Sequence, residues 1–166
     1  MKKSEYQHLN HDCIKPFYQQ DSRILILGSF PSIKSRAEKF YYAHKTNRFF
    51  PILASLFDEE TPETTDERKA FLAKHHIALF DVIKECDIKA SSDSTIKNPV
   101  PNDLRPILKN SNIKAIFATG RKAYDLYLKL IGDDAIYLPS PSAANAASKF
   151  EDLVASYRII LSFLAD

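Results

Sequence analysis

Four short apolar runs, each followed by a turn sequence, constrain the fold of this chain more than any other feature. They occupy residues 23–27, 77–81, 113–118 and 135–138. Runs of this length suit strands that are buried on both faces of a sheet. Helical patterns lie between them, so strands and helices alternate. The sequence therefore predicts an α/β fold, a three-layer α/β/α sandwich with a central four-stranded parallel sheet.

The helices are predicted from apolar spacing and from capping residues. Residues 48–57 carry apolar side chains at helical spacing, and a capping box begins at Thr64. A short helix is expected to run through Leu108. Two further helices are expected over residues 120–131 and, as one long element, over residues 149–164.

Length and composition indicate one ordinary globular domain. The 166 residues are 45% hydrophobic and 27% charged, and we expect residues 1–166 to form a single domain with residues 1–20 as an irregular N-terminal arm. The sequence contains no apolar run as long as a membrane span and does not start like a signal peptide. We therefore expect a cytoplasmic, monomeric protein that does not contact membranes.

The sequence gives no indication of a metal or a cofactor. Cys13 and Cys86 are the two cysteines, too few for an iron–sulfur cluster, and the histidines lack ligand spacing. The turn after the first strand lacks the Gly-x-Gly-x-x-Gly pattern of dinucleotide sites. A net charge of +2 neither supports nor excludes DNA as a partner.

Unusual residues follow every predicted strand. Gly28-Ser29-Phe30-Pro31 follows the first strand and Asp81 ends the second, while Thr119-Gly120 follows the third and the segment 139–142 follows the fourth. The carboxyl ends of parallel strands meet at one edge of a sheet, where ligands bind in open α/β folds. Residues 40–50 add three adjacent aromatics, a His, an Asn and an Arg, a mixture that suits a pocket for a flat polar ring.

These segments resemble motifs of the uracil-DNA glycosylase superfamily, and most closely its hypoxanthine-DNA glycosylase branch. The resemblance rests on Gly28-Ser29-Phe30-Pro31, on Tyr41-Tyr42-Ala43-His44 with Asn47-Arg48-Phe49, and on the segment 138–146. A middle segment from Asp81 to Asn102 agrees with it. The resemblance implies a DNA repair enzyme without cofactors that hydrolyses the N-glycosidic bond of a deaminated base flipped out of DNA.

The resemblance also implies site residues. Asn47 stands at the position of the catalytic Asn, where its amide oxygen would orient a water, although Asn also favours the role of a helix cap. The predicted base pocket comprises Gly28, Ser29, Phe30, Pro31, Tyr41, Tyr42, His44 and Asp81. Tyr42 is the favoured stacking partner for the base. Asp81 could read a base edge or order the loop 91–94, and His44 could donate a hydrogen bond or be structural.

The loop after the fourth strand matches the second motif of the superfamily. It implies contacts with DNA phosphates, with a helix start expected near Ala144. The predicted DNA-binding residues are Ser140, Ser142, Ala143, Asn145 and Lys149. In the superfamily this loop also fills the gap that the flipped nucleotide leaves in the duplex. The alanines of this loop are small for that role.

Three functions remain open from the sequence. The first is a monofunctional DNA glycosylase that acts on hypoxanthine, with uracil or xanthine as further substrates. The second is a DNA-damage-binding protein of the same fold that has lost its chemistry, a reading to which Phe30 and the altered second motif point. The third is a hydrolase of free nucleosides, which lacks support because no acidic ribose-binding cluster is evident.

Overall fold

The computed structural model of the protein describes residues 5–90 and 92–165. Ser91, which the sequence places in the loop near the site, lies outside the described residues. In chain order the strands are β1 (Gln7–Asn10), β2 (Ile24–Gly28), β3 (Ile77–Asp81), β4 (Ile83–Ile88), β5 (Lys97–Pro101), β6 (Ala115–Thr119) and β7 (Ala135–Leu138). The helices are α1 (Ile33–Glu38), α2 (Phe49–Phe57), α3 (Thr65–Lys74), α4 (Arg105–Lys109), α5 (Arg121–Leu130), α6 (Phe150–Tyr157) and α7 (Leu161–Leu164), with 3₁₀ turns at Asp93–Thr95 and Arg158–Ile160.

The central sheet contains the four predicted strands. Its order is β3-β2-β6-β7, and all neighbouring pairs are parallel. Every residue of β2 and β3 is buried, as expected for strands that helices cover on both faces. Helix α3 packs on β3, α5 packs on β6 and β7, and α2 packs against α6. The predicted α/β/α architecture is therefore confirmed.

A second, antiparallel sheet was not predicted. It has the order β1-β4-β5, and β1 lies within residues 1–20, so the expectation of an irregular arm is wrong for residues 7–10. Strand β1 has the sequence Gln-His-Leu-Asn, which carries no apolar pattern of its own. It is a strand because it pairs with β4, and this pairing cannot be read from local sequence.

The helices agree with the sequence in kind but differ at their ends. The capping box at Thr64 is present, and α2 begins at Phe49. The expected long C-terminal helix is interrupted by the 3₁₀ turn at Arg158–Ile160, where two adjacent β-branched isoleucines lower helix propensity. No helix of the described part of the chain is long and apolar enough to cross a membrane.

The carboxyl ends of the four parallel strands meet at one edge of the sheet. Gly28 pairs with Asp81 across β2 and β3, and Thr119 pairs with Leu138 across β6 and β7. The second sheet extends from this edge, because β4 begins at Ile83, two residues after β3 ends. The edge is therefore flanked by the hairpin of β4 and β5.

Candidate active site

A cavity of about 630 Å³ opens at the carboxyl edge of the parallel sheet. It brings together residues from all the segments that the sequence singles out. Its lining includes Gly28, Ser29, Phe30, Pro31, Tyr41, Tyr42, His44, Asn47, Asp81, Ser140, Ser142 and Ala143. Asn145 and Lys149 do not line it. Most of the predicted site residues therefore line the same cavity.

Gly28 and Asp81 make a close contact at the base of the cavity. A Cβ atom on Gly28 would lie only 2.6 Å from Asp81 Oδ1 and 3.5 Å from the Tyr42 hydroxyl oxygen. Real Cβ atoms do not approach other atoms so closely, so glycine is needed here for the carboxylate to lie over the strand end. Asp81 is only 5% exposed, and Asn102 donates hydrogen bonds to its backbone carbonyl and to that of Ile83.

His11 is a site residue that the sequence did not indicate. It follows β1 directly, and its backbone N–H donates to Lys84 O, which continues the pairing with β4. Its Nε2 lies 2.7 Å from Asp81 Oδ2, and its Nδ1 lies 2.9 Å from Ile14 O. The ring is 3% exposed. The hydrogen bond and charge of Asp81 outweigh the effect of burial and raise the pKa of His11 above its usual 6.5.

Tyr42 is the one of the three adjacent aromatics whose hydroxyl reaches the sheet edge inside the cavity. Its ring stacks on Phe49 with centroids 3.9 Å apart and an angle of 14° between the planes. The Thr119 hydroxyl donates to Leu27 O, so the 3.1 Å contact between the two hydroxyls is donated by Tyr42. Tyr42 has a positive φ of 54°, an uncommon backbone conformation for a bulky residue and one that is often found at functional sites.

Phe40 and Tyr41 are core residues in the main. They are 3% and 2% exposed, and their rings pack edge to face, 5.5 Å apart. The Tyr41 hydroxyl donates to Lys15 O in the N-terminal segment, and Tyr41 is also among the residues that line the cavity. The change of backbone direction at Tyr42 thus separates two inward-facing rings from the ring at the sheet edge.

Asn47 lies two residues before the start of helix α2 and lines the cavity. Its Oδ1 accepts the backbone N–H of Phe49 at 2.9 Å, and its own N–H donates to His44 O. The N-cap residue of α2 is Arg48, so Asn47 binds an N–H of the first turn, as the alternative role of a cap required, but from one residue before the N-cap. This contact identifies which amide atom is oxygen and fixes the plane of the side chain. An amide oxygen has two lone pairs, so Oδ1 can accept a second hydrogen bond from a water.

His44 lies exposed at the mouth of the cavity. Its Nδ1 accepts the backbone N–H of Thr46 at 3.2 Å and the Thr46 hydroxyl at 2.7 Å. A nitrogen that accepts these bonds carries no proton, so the ring N–H is on Nε2. His44 therefore presents one donor beyond its own loop.

Ser29 and Asp93 form a second polar pair in the cavity wall. The Ser29 hydroxyl donates to Asp93 Oδ2 at 2.8 Å, so its proton is committed to that carboxyl group. Desolvation raises the pKa of Asp93, and the nearby Asp81 raises it further against the lowering effect of the Ser29 bond. Asp93 lies in the 3₁₀ turn of the hairpin between β4 and β5, which brings that hairpin to the cavity.

The loop of residues 139–148, here called the serine loop, forms the other side of the cavity. Its side chains bind its own backbone: Ser140 Oγ accepts Ser142 N–H, and Ser142 Oγ accepts Ala144 N–H. Asn145 Nδ2 donates to Ser140 O at 3.0 Å. Gly120 has a φ of 89°, and a Cβ there would lie 3.3 Å from Ser140 Cβ, so this glycine allows the loop to approach β6.

The expectation of a helix starting near Ala144 is wrong. Residues 143–147 form turns, and helix α6 begins at Phe150, with Lys149 as its exposed N-cap residue. The local hydrogen bonds of Ser140, Ser142 and Asn145 hold turns in place of a helical first turn.

Arg48 connects the two motif regions. Its guanidinium donates to four backbone carbonyls of the serine loop: Pro141 O at 3.3 Å, Ser142 O at 2.7 Å, Asn145 O at 3.1 Å and Ser148 O at 2.7 Å. Its backbone N–H also donates to Pro141 O. The residue after Asn47 therefore fixes the position of the serine loop relative to Asn47.

The roles of His11 and Arg48 could hardly be predicted from the sequence. His11 stands in a polar stretch, and its partner Asp81 is 70 residues away. Arg48 is adjacent to a predicted residue, yet nothing local shows that it serves the serine loop. Among the described residues, no group of three His, Cys, Asp or Glu side chains is placed to hold a metal ion.

The fold and the cavity define an α/β protein whose ligand site lies at the carboxyl edge of its sheet, and comparison with known proteins identifies the family. Residues 15–160 match the uracil DNA glycosylase superfamily. A hypoxanthine DNA glycosylase of Methanosarcina acetivorans is 33% identical over 76% of this chain and 82% of its own length. One from Methanosarcina barkeri is 32% identical over 80% of this chain and 87% of its own length.

A solved structure agrees with these relatives. It is a solution NMR structure from Methanosarcina acetivorans, provisionally described as a uracil DNA glycosylase, with a TM-score of 0.72 and 28% identity. It covers 89% of this chain and 96% of its own. The chain belongs to the uracil DNA glycosylase superfamily. The predicted family, fold and class of enzyme, a DNA glycosylase, are thereby confirmed.

Proposed function

We propose that the protein removes hypoxanthine from DNA by hydrolysing its N-glycosidic bond, with uracil and xanthine as further substrates. The observation that carries this proposal is that Tyr42, Asn47 and Asp81 line one cavity at the sheet edge. The names of the two Methanosarcina relatives, both hypoxanthine DNA glycosylases, support the choice of base.

The cavity suits an extruded base. A base can stack on the face of Tyr42 opposite Phe49, and such stacking is worth roughly 1–3 kcal/mol, which offsets part of the cost of unstacking. Gly28 and Pro31 border the same space and bring backbone close to the ring. Asp81 offers a carboxylate oxygen to the edge of the base.

Asn47 is the proposed catalytic residue. With its amide plane fixed by the bond from Phe49 N–H, Oδ1 accepts a hydrogen bond from a water and orients it toward C1′ of the sugar. The C1′–N bond breaks and its electron pair leaves with the base. The water adds to C1′, releases one proton, and the base takes one up, which balances the hydrolysis. An oxocarbenium-like sugar needs an oriented water more than a strong base.

The serine loop is the proposed DNA contact. The hydroxyls of Ser140 and Ser142 accept backbone N–H groups, and an accepting hydroxyl keeps its own proton to donate to a phosphate oxygen. Ala143 is exposed at the mouth of the cavity, and Lys149 adds a positive charge beyond the loop. Asn145 acts by holding the loop in shape. The proposed partner is DNA that contains deaminated bases, bound by a monomer.

The test uses otherwise identical duplexes that carry one deoxyinosine, deoxyuridine or deoxyxanthosine, with an undamaged duplex as control. Each is incubated with the protein and then with alkali, which cleaves the strand at an abasic site. We expect cleavage at deoxyinosine to be fastest, and the undamaged strand to stay intact. Tight binding to the lesion duplexes without cleavage of any of them would instead show a damage-binding protein.

A further inference from the structure

The contact between His11 and Asp81 holds one proton. Ile14 O can only accept a hydrogen bond, so His11 Nδ1 must carry a proton at 2.9 Å from it. The 2.7 Å contact between Nε2 and Asp81 Oδ2 then contains a single proton, either on the imidazole or on the carboxyl group. In both arrangements the other carboxyl oxygen, Oδ1, bears none. Oδ1 is therefore an acceptor.

The structure places Oδ1 where a base would meet it. Oδ1 lies over Gly28, at the distance that excludes a Cβ, and Gly28, Asp81 and Tyr42 all line the cavity. His11 lies behind the carboxylate, enclosed by the rings of Phe30 and Phe80, whose centroids are 6.2 Å and 5.1 Å from its own. Oδ1 therefore lies beside Gly28 of the cavity lining, whereas His11 is shielded from water.

Deamination changes the atom that such an acceptor would read. Adenine and cytosine present an unprotonated ring nitrogen beside an amino group, whereas hypoxanthine and uracil present a ring N–H beside a carbonyl. A carboxylate oxygen attracts the ring N–H and repels the lone pair. Guanine and thymine carry the same N–H, so this contact sorts deaminated bases from adenine and cytosine only.

We propose that His11 is a positioning residue that holds Asp81 Oδ1 as a proton-free acceptor for the ring N–H of the extruded base. This proposal rests on the proposed function and deepens it, because it assigns to a pair of residues the choice of hypoxanthine over adenine and of uracil over cytosine. His11 acts through Asp81 and does not touch the base.

The pair has a defined pH dependence. Because the pKa of His11 is raised above 6.5, its contribution to stability is complete below that pH and is lost as the pH rises through the raised value. The other titratable groups facing the pair are Tyr41, Tyr42 and Asp93. Burial raises the pKa of both tyrosines well above their usual 10, and it also raises the pKa of Asp93. Arg36 lies over Phe30, 5.7 Å from its ring centroid, and stays charged.

The test measures binding to duplexes that carry 2′-fluorodeoxyinosine or 2′-fluorodeoxyadenosine, in which the fluorine suppresses loss of the base. The wild type is compared with His11→Leu, which fills the space without a hydrogen bond, and with His11→Gln, whose amide nitrogen can take the place of Nε2. The cost of opening each base pair is common to all three proteins and cancels in the comparison. We expect His11→Leu to lower the inosine preference by roughly 10- to 100-fold, as for loss of a hydrogen bond to a charged group.

His11→Gln tests whether His11 acts through its proton, because a merely structural role would not change the pH dependence of affinity. It should keep most of the inosine preference, but its affinity should stay constant over the pH range above 6.5 in which the wild type weakens. Ionisation of the base is common to both proteins, so the difference between the profiles reports His11. An unchanged inosine preference in folded His11→Leu, or the same loss of affinity with rising pH in His11→Gln, would overturn the proposal. If the wild type binds fluoroinosine selectively yet excises no deaminated base, the proposed function fails and the base-reading role stands.

Discussion

The base of the cavity and the serine loop are both polar, but they are built in different ways. At the base, Gly28, Asp81 and Thr119 are ends of three parallel strands, and their partners His11 and Tyr42 come from distant segments. In the serine loop, the side chains of residues 140, 142 and 145 bind the loop's own backbone. Long-range contacts thus fix the base, and local turns shape the loop.

The base of the cavity and the serine loop also differ in how firmly they are held. Asp81 and Thr119 are at most 8% exposed, and their backbone belongs to the buried sheet. Ala143 and Ala144 in the loop are exposed, and the loop is tied to the rest of the protein through Arg48 and through the Tyr157 hydroxyl, which donates to Pro139 O at 2.7 Å. We infer that the base of the cavity recognises a flat ring in a fixed geometry, while the exposed tip of the loop, Ala143 and Ala144, adapts to the backbone of DNA.

Asn47 gives the strongest test, because it lies where the two regions meet. Asn47→Ala should lower single-turnover excision by on the order of 10²-fold or more, since the water loses its orienting oxygen. Loss of the bond from Phe49 N–H should also lower the free energy of unfolding by about 0.5–2 kcal/mol, as loss of a helix cap does. Lesion binding should be retained. Excision is measured at saturating enzyme with deoxyinosine duplex, and stability by urea unfolding.

Asn47→Asp separates the two roles of this residue. A carboxylate oxygen accepts Phe49 N–H as an amide does, so stability should stay near that of the wild type. If the oxygen orients the water, Asp should keep most of the activity. A well-folded Asn47→Ala variant with near-normal turnover would refute the assignment.

Gly28→Ala tests the fixed geometry at the base of the cavity. The added Cβ would meet Asp81 Oδ1 at 2.6 Å, and His11 prevents the carboxylate from moving freely. We expect lesion affinity to fall about 10-fold or more, and stability to fall by about 1–3 kcal/mol through overpacking. Binding is measured by fluorescence anisotropy with a 2′-fluorodeoxyinosine duplex.

Gly132→Ala is the matched control for that substitution. Its nearest contact would be Asp134 Oδ1 at 3.3 Å, in the turn before β7 and outside the cavity lining. We expect its lesion affinity to be unchanged. Equal effects of the two glycine variants on binding would show that the space over Gly28 is not used for the base.

The same contrast between local and long-range contacts explains what could be predicted from the sequence. The four strands follow from apolar runs, because strands buried on both faces need continuous apolar sequence. The meeting of Gly28, Asp81 and Thr119 then follows from parallel topology alone. Both inferences need only the local apolar pattern and the rule that the carboxyl ends of parallel strands meet at one edge of the sheet.

What could not be predicted depends on contacts between distant segments. Strand β1 has no apolar period and exists through its pairing with β4, so His11 could not be placed beside Asp81. The four carbonyl partners of Arg48 lie 93 to 100 residues away along the chain. The residues of the serine loop could be predicted from local sequence. The hydrogen bonds that its hydroxyls accept from backbone N–H groups of the same loop could not.

Ser142→Ala probes the serine loop and should have the smallest effect. It removes one hydroxyl that supports Ala144 N–H and that we propose donates to a phosphate. A water can take the place of this single hydroxyl at the phosphate, so its loss should cost about 0.5–1.5 kcal/mol, and lesion affinity should fall by roughly 2- to 12-fold. Single-turnover excision at saturating enzyme should change less, because the base of the cavity is untouched. The wild type and Ser142→Ala have the same charge, so the salt dependence of binding should stay the same.

Ser162→Ala is the control, since this exposed serine on α7 donates only locally, to Ile159 O. Its affinity for lesion DNA should match that of the wild type. If Ser142→Ala also matches the wild type, the serine loop does not bind phosphate through this hydroxyl. If it instead slows excision at saturation as much as it weakens binding, the loop shapes the chemistry, and the separation between a recognising base and an adapting loop is wrong.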